Sequence, residues 1–373
     1  MAKSTTLDRL YTGEGGIEFV GRRRLWYAIT IGLLVISVLG VIFRGFDLGI
    51  DFEGGTKMNM PAAELSTDEV SDTFADATGV SPELVQIVGS GDGRILEINS
   101  ERLTEDQIDA ARSALYETYQ PEDLDGNVTP DAIGDSTVSE SWGSTITSKM
   151  IQSMIVFLIA VFIYIAIRFE RAMATAALAA ILVDFVVIAG IYAIFGLEVS
   201  PATIIGLLTV LAFSLYDTVV VFDKVRENTR DYRKQDTYTH AELANSAVNQ
   251  TVMRSISTTV ISALPIIALL IVAVGLMGVG TLKDLAVVQL IGVVEGTFSS
   301  VFLATPILVD LEQRRKVNKE HTRRVKKLRA GEDPTVLETD AEVAEDSVSA
   351  VRVATPEIPK NTHATWRPDR HNN

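Results

Sequence analysis

Six long apolar runs constrain this chain more than any other feature: Leu25–Phe43, Met150–Ile167, Met173–Phe195, Ala202–Phe222, Ile256–Met277 and Leu285–Val309. Each approaches the roughly 20 consecutive apolar residues that cross a bilayer core as a helix. In lipid every backbone N–H and C=O must be paired within its own segment, so the runs predict six membrane-spanning helices. The first follows Arg22, Arg23 and Arg24, as a signal peptide would. It is long, however, and continues into Phe43-Arg44-Gly45 with no small-residue cleavage pattern, so it reads as an uncleaved signal-anchor.

Lys and Arg near the span ends set the orientation. One side holds the N-terminal segment 1–24, Arg168 and Arg171, the loop 223–255, and the tail 310–373, whose stretch Arg314–Arg329 carries nine Lys or Arg. The other side holds segment 44–148 and two short turns, near Glu198–Pro201 and Gly278–Lys283. This predicts a multi-pass protein with both termini in the cytoplasm and 44–148 outside. The organisation is then a first span at 25–43, an outer domain at 44–148 and spans two to six within 149–309.

Composition matters because the chain is both apolar, with a mean hydropathy of +0.24, and acidic, with a net charge of −15. Segment 44–148 contains 22 Asp or Glu against 5 Lys or Arg, a net of −17, which leaves +2 for everything else. The acidity therefore belongs to one solvated domain. It excludes a nucleic-acid binder, which needs a basic face, and the balance excludes collagen-like, disulfide-stapled and mainly disordered chains. With no cysteine, thiol catalysis, disulfides and Cys-ligated metal are excluded. The four histidines lie outside the apolar runs, so a His-based metal site is not expected.

The outer domain reads as α+β. Leu48–Met60 alternates around Gly54-Gly55 and predicts a strand with a bend. Ser66-Thr67-Asp68-Glu69 predicts a capping box opening a helix to about Thr78, stopped at Gly79. Leu84–Val88 and Arg94–Asn99 read as strands. Thr104-x-x-Gln107 opens a second helix with Ile108, Ala111 and Leu115 on one face, and Thr137–Ser141 is a last strand. The order strand-helix-strand-strand-helix-strand predicts a ferredoxin-like split βαβ domain. From about Ala330 the tail loses periodicity and reads as disordered.

An ionisable group inside a membrane costs at least ~2.5 kcal/mol and is a functional candidate by default. Asp184 in the third span, Asp217 in the fourth and Glu295 in the sixth meet this description, with Arg254 just before the fifth span and Asp223 closing the fourth. Gly206 and Thr209 lie roughly along the face of Asp217, where another helix could approach closely. A carboxylate whose pairing is made or broken by conformational change takes up and releases a proton. For each group a static interhelical hydrogen bond is the alternative, and for Arg254, Asp223 and Arg226 a place at the membrane interface.

Several motifs carry a family resemblance. Leu48-Gly49-Ile50-Asp51-Phe52-Glu53-Gly54-Gly55-Thr56 follows the first span, and Arg168-Phe169-Glu170 the second. Phe195-Gly196-Leu197-Glu198-Val199 follows the third span. Ser214-Leu215-Tyr216-Asp217-Thr218-Val219-Val220-Val221-Phe222-Asp223-Lys224-Val225-Arg226-Glu227-Asn228 straddles the end of the fourth. Val248-Asn249-Gln250-Thr251, Arg254-Ser255-Ile256-Ser257-Thr258-Thr259 and Gly296-Thr297-Phe298-Ser299-Ser300-Val301-Phe302 complete the set. In order, spacing and topology from Leu25 to Val309 the chain resembles the SecF members of the SecD/SecF family, membrane subunits of bacterial protein export.

The resemblance implies an RND-superfamily fold: six helices forming half of a twelve-helix unit that SecD completes. It implies no enzymatic activity and no cofactor beyond the proton as coupling ion. The function implied is use of the proton-motive force to help draw unfolded preproteins through SecYEG after the SecA-driven step, in the bacterial cell membrane. SecD, SecYEG, SecA, YajC, YidC, the preprotein and anionic lipid are the partners implied, and nucleic acid is not. Asp217 and Arg254 match positions of the family's proton path, and Asp184 matches an acidic position of the third span, whose role in the relay is carried over with it. The chain departs from the pattern at Tyr216, where Asn is common, at Val183 for His, at Trp142 for Pro, and at Glu295, usually apolar. Tyr216 could donate its hydroxyl to Asp217, and Glu295 is an extra titrating group or a contact to SecD. Two other functions fit the same features, half of a proton-coupled small-molecule exporter and a static subunit of the translocon. An intramembrane aspartyl protease lacks its second motif, since Ile181-Leu182-Val183 precedes Asp184.

Overall fold

Helices follow the apolar runs, and most begin or end well beyond them. The computed structural model describes residues 17 to 331, apart from 63, 64, 90, 124, 125 and 273 to 279. The end of the fifth predicted span at Met277, the start of the following turn, and the tail from 332 lie outside the described residues.

Helix α1 (Arg23–Arg44) leads into a two-residue strand β1 (Asp47–Leu48) and a single helical turn α2 (Ile50–Glu53). The bent strand expected over Leu48–Met60 is thus three elements, with only β2 (Gly55–Pro61) in the main sheet. The breaks fall at Gly54 and Gly55, where φ is 84° and 140°. Such angles favour glycine. A Cβ on Gly54 would also lie 2.9 Å from the Glu140 backbone nitrogen, and one on Gly55 2.5 Å from the Ser100 carbonyl.

The domain continues with α3 (Thr67–Thr78), β3 (Leu84–Val88), β4 (Ile95–Ser100), α4 (Glu105–Tyr119) and β5 (Gly134–Val138). The strands form one antiparallel sheet in the order β3-β4-β2-β5, with Met58 opposite Ile98 and Asp135. This is the ferredoxin-like arrangement that the element order predicts. Alternate residues Met58 and Met60 of β2 and Leu96 and Ile98 of β4 point to one face, where they bury against Val70 and Phe74 of α3 and Ala111 and Leu115 of α4. The Thr104–Gln107 capping box forms, with the Gln107 backbone N–H donating to Thr104 Oγ1 at 3.4 Å and the Thr104 N–H to Gln107 Oε1 at 3.0 Å. The box expected at Ser66 does not: Ser66 has the extended N-cap backbone, but its side chain accepts no hydrogen bond.

The membrane part comprises α5 (Glu140–Arg168), α6 (Arg171–Phe195), β6 (Glu198–Val199), α7 (Pro201–Asn228) and α8 (His240–Leu269). Helix α9 (Gly280–Ser299) passes through a π turn at Ser300–Ala304 into α10 (Thr305–Gln313), and α11 (Lys316–Arg329) follows. Ser200 with Thr203 caps α7, and Thr239 with Glu242 caps α8, whose first residue lies sixteen before the start of the apolar run at Ile256. In the most apolar stretch of each span, α6, α7 and the sixth helix are 44–50% buried, while α1, α5 and α8 are 11% buried. The third, fourth and sixth spans are therefore the centre of the bundle. The others present apolar surface outward, as lipid or a partner would require.

Candidate functional site

All three membrane carboxylates lie in this central trio, and they form two distinct centres. Asp217 is 4% exposed on α7. Ser255 of α8 donates to its Oδ1 at 2.7 Å, and Ser300, the first residue of the π turn, donates to its Oδ2. Hydrogen bonds to an ionised carboxylate are stronger than neutral ones, and here they tie three helices to one side chain. The π turn changes the helical phase just where Ser300 must reach Asp217; such turns occur often at functional positions.

Neither sequence candidate for the partner of Asp217 touches it. Successive side chains on a helix point about 100° apart, so with Asp217 facing inward its neighbour Tyr216 points outward, 54% exposed. Similarly, Ser255 takes the inward position and Arg254 is exposed. The guanidinium of Arg254 reaches Asp217 through space only, with no ion pair between them among the described residues.

The second centre lies on α6. Asp184 is 1% exposed, and Ser214 of α7 donates to its Oδ2. Glu295 of α9 places its carboxyl within hydrogen-bonding reach of Asp184, with the Ser299 hydroxyl beside them. Glycines permit this approach: a Cβ on Gly296 would meet the Ser214 Cβ at 2.7 Å, and one on Gly206 would run into Val288. Gly206 thus lies on the close-packed face as expected, whereas Thr209 is exposed and Val210 takes its place.

A third cluster joins the domain to the bundle. Glu198, in the turn after α6, is 8% exposed and accepts from Lys57 Nζ of β2, Gln86 Nε2 of β3 and Asn99 Nδ2 of β4, each at 3.4 Å. Lys283 at the start of α9 donates to Gln86 Oε1 at 2.9 Å. Strand β1 pairs in parallel with β6, placing Asp47 beside Glu198. Burial disfavours the Lys57 ammonium, but Glu198, Glu97 and Asp284 outweigh that cost and hold its pKa above the ordinary lysine range. The sheet face away from the domain core is thereby docked on the bundle through polar groups.

At the opposite end Arg168 Nη2 holds both oxygens of Asp223, at 2.7 and 2.6 Å. Arg226 is exposed and lines a cavity of about 750 Å³ with Glu170, Arg230 and Glu312. Asn249 and Asn245 bind the backbone of Ile17 and Val20, seating the segment that precedes α1. Among the described residues no group of three or more His, Cys, Asp or Glu could hold a metal ion. Sequence reasoning missed Ser255, Ser300 and Glu198 as contact residues. Small hydroxyls in the Arg254–Thr259 and Gly296–Phe302 motifs were the available signal.

Comparison with known proteins places these features together. Residues 122–314 match the family model described as protein export membrane protein SecD/SecF, C-terminal, and residues 40–63 match the SecD/SecF GG motif. The chain is 50% identical over 328 residues to the protein translocase subunit SecF of Mycobacterium tuberculosis, covering 88% of this chain and 74% of that one. It is 39% identical over 333 residues to the SecF of Streptomyces coelicolor, covering 88% and 86%. The crystal structure of SecDF, a translocon-associated membrane protein from Thermus thermophilus, superposes with a TM-score of 0.68 at 26% identity. That match spans 81% of this chain but only 39% of the SecDF chain.

Proposed function

This chain belongs to the SecD/SecF family of protein-export membrane proteins, and from that premise we propose that it couples proton entry to the export of unfolded preproteins. The observation that carries the reading is Asp217. A carboxylate buried in the bundle, bonded to hydroxyls of two other helical elements, changes its contacts when it gains a proton. A carboxylate accepts from both serines, whereas a carboxylic acid must donate one proton itself, so protonation alters the packing of α7 against α8 and the π turn. One charge moved across 100 mV supplies about 2.3 kcal/mol, comparable to the one or two hydrogen bonds at stake.

The polar docking at Glu198 gives such a shift a route outward. A displacement of α6 or α9 moves Glu198 or Lys283, and with them the sheet of the domain. Arg254 acts in this reading through its field midway along α8, and Asp184 is a further proton-binding position. SecD supplies the second half-bundle, consistent with the outward apolar faces of α1, α5 and α8 and with the two-fifths share of a SecDF chain that this one matches. SecYEG and SecA are the remaining partners, and both termini are cytoplasmic in the bacterial cell membrane, with the acidic domain outside.

The test is Asp217→Asn in inverted membrane vesicles carrying the chain with SecD and SecYEG, under an imposed proton gradient. The gradient-dependent part of preprotein export should disappear while SecA-driven export persists. Full stimulation in the variant would leave a static subunit as the correct reading.

A further inference from the structure

The Asp184–Glu295 centre has an unbalanced hydrogen-bond count that Asp217 does not. Both oxygens of Asp217 receive a hydroxyl proton. At the second centre only Asp184 Oδ2 does, from Ser214. Asp184 Oδ1 and Glu295 Oε2 are both buried without a donor, and the Ser299 hydroxyl beside them is 1% exposed and likewise unpartnered. Buried polar atoms are nearly always paired, so two facing carboxyl groups with orphaned oxygens are short of one hydrogen.

The groups that reach Asp184 are Glu295 on α9, Ser299 at the end of α9 and Ser214 on α7. What reaches Glu295 is Asp184 itself. No Lys, Arg or His among the described residues forms an ion pair with either. Asp217, on the same helix as Ser214, is occupied by its own serines. Two ionised carboxylates side by side with their oxygens buried and no ion pair to either among the described residues repel strongly, whereas a single proton between them turns the contact into a short hydrogen bond. We propose that Asp184 and Glu295 form a carboxyl pair sharing one proton, a proton-binding site of the bundle separate from Asp217. The pair titrates as a unit. Glu295 is then directed inward at α6, not outward at a partner subunit.

The pair lies apart from Asp217, so it can fail while the export reading holds, and the reverse. Infrared spectroscopy of the full-length chain in lipid bilayers at pH 7 reads the protonated carboxyl carbonyl directly. Wild type should show a band that Glu295→Gln abolishes, because the amide N–H then satisfies an ionised Asp184. Asp184→Asn should abolish the same band for the reciprocal reason, and it carries the test if Glu295→Gln does not fold. Asp217→Asn should leave that band in place. A wild-type spectrum with no protonated carboxyl, or a band that survives both pair variants, overturns the proposal.

Discussion

Asp217 and Asp184 sit in the same bundle, on adjacent helices and both buried, yet they solve burial in different ways. Asp217 collects hydroxyl donors from α8 and the π turn. Asp184 accepts from Ser214, has the unpartnered Ser299 hydroxyl beside it and faces a second carboxyl. A buried acid supplied with donors can persist as an anion, whereas one facing another acid needs a proton to be stable at all. The difference lies in neighbours from other helices, since both aspartates stand in apolar runs of similar character.

The comparison can be broken most forcefully at the serines. Ser255→Ala with Ser300→Ala removes both donors from Asp217 and should cost about 3 kcal/mol, from typical values for hydrogen bonds to charged groups. Ser214→Ala leaves Asp184 with Glu295 and should cost about 1 kcal/mol. Denaturation midpoints in mixed micelles measure both, and equal losses would erase the distinction between the centres.

A somewhat smaller effect is expected at Gly296, which packs on Ser214 between the two centres. Gly296→Leu forces α9 away from α7 and should cost about 2 kcal/mol by overpacking. It should also remove the shared-proton infrared band, as the Glu295 carboxyl leaves Asp184. Retention of both stability and band would mean that the glycine contact does not hold the pair together.

An effect the size of that for Ser214→Ala lies at the domain junction, where Lys57 is part-solvated although Glu97 and Glu198 are buried. Lys57→Met should cost about 1 kcal/mol, seen as faster hydrogen exchange in β2 and β3, with the melting of the bundle unchanged. Because the Lys57 pKa is raised in the folded protein, its contribution is complete below the ordinary lysine pKa. It is lost as pH climbs through the raised value. Well above the range in which the neighbouring Asp284 carboxyl titrates, the junction should therefore be insensitive to pH from 8 to 9 and loosen only above about 10.5. Loosening near neutral pH would assign the junction to another group.

Much of the fold is legible in the chain because its signals are local. An apolar run long enough to cross a bilayer is helical whatever it packs against. Within the domain, alternation, the Thr104 capping box and turn glycines announce each element. The carboxylates too stand out one by one. What stays hidden is anything that joins residues from different elements. Arg254 is an obvious sequence partner for Asp217, but helical phase turns it outward and brings in Ser255. Glu295 has no evident partner until α9 is laid against α6. The π turn that aims Ser300 has no marker in a run that looks uniformly helical.

By itself, then, the sequence determined the number of spans, the domain between the first two, the segregation of charge and which acids must be buried. Each follows from the chemistry of consecutive residues against water or lipid. Tertiary structure alone decided which hydroxyl meets which carboxylate, that two acids face each other, and that the domain rests on Glu198. Those contacts depend on the rotation and depth of one helix against another. In lipid, close packing at glycines and polar pairing decide that rotation, and no single segment contains the information.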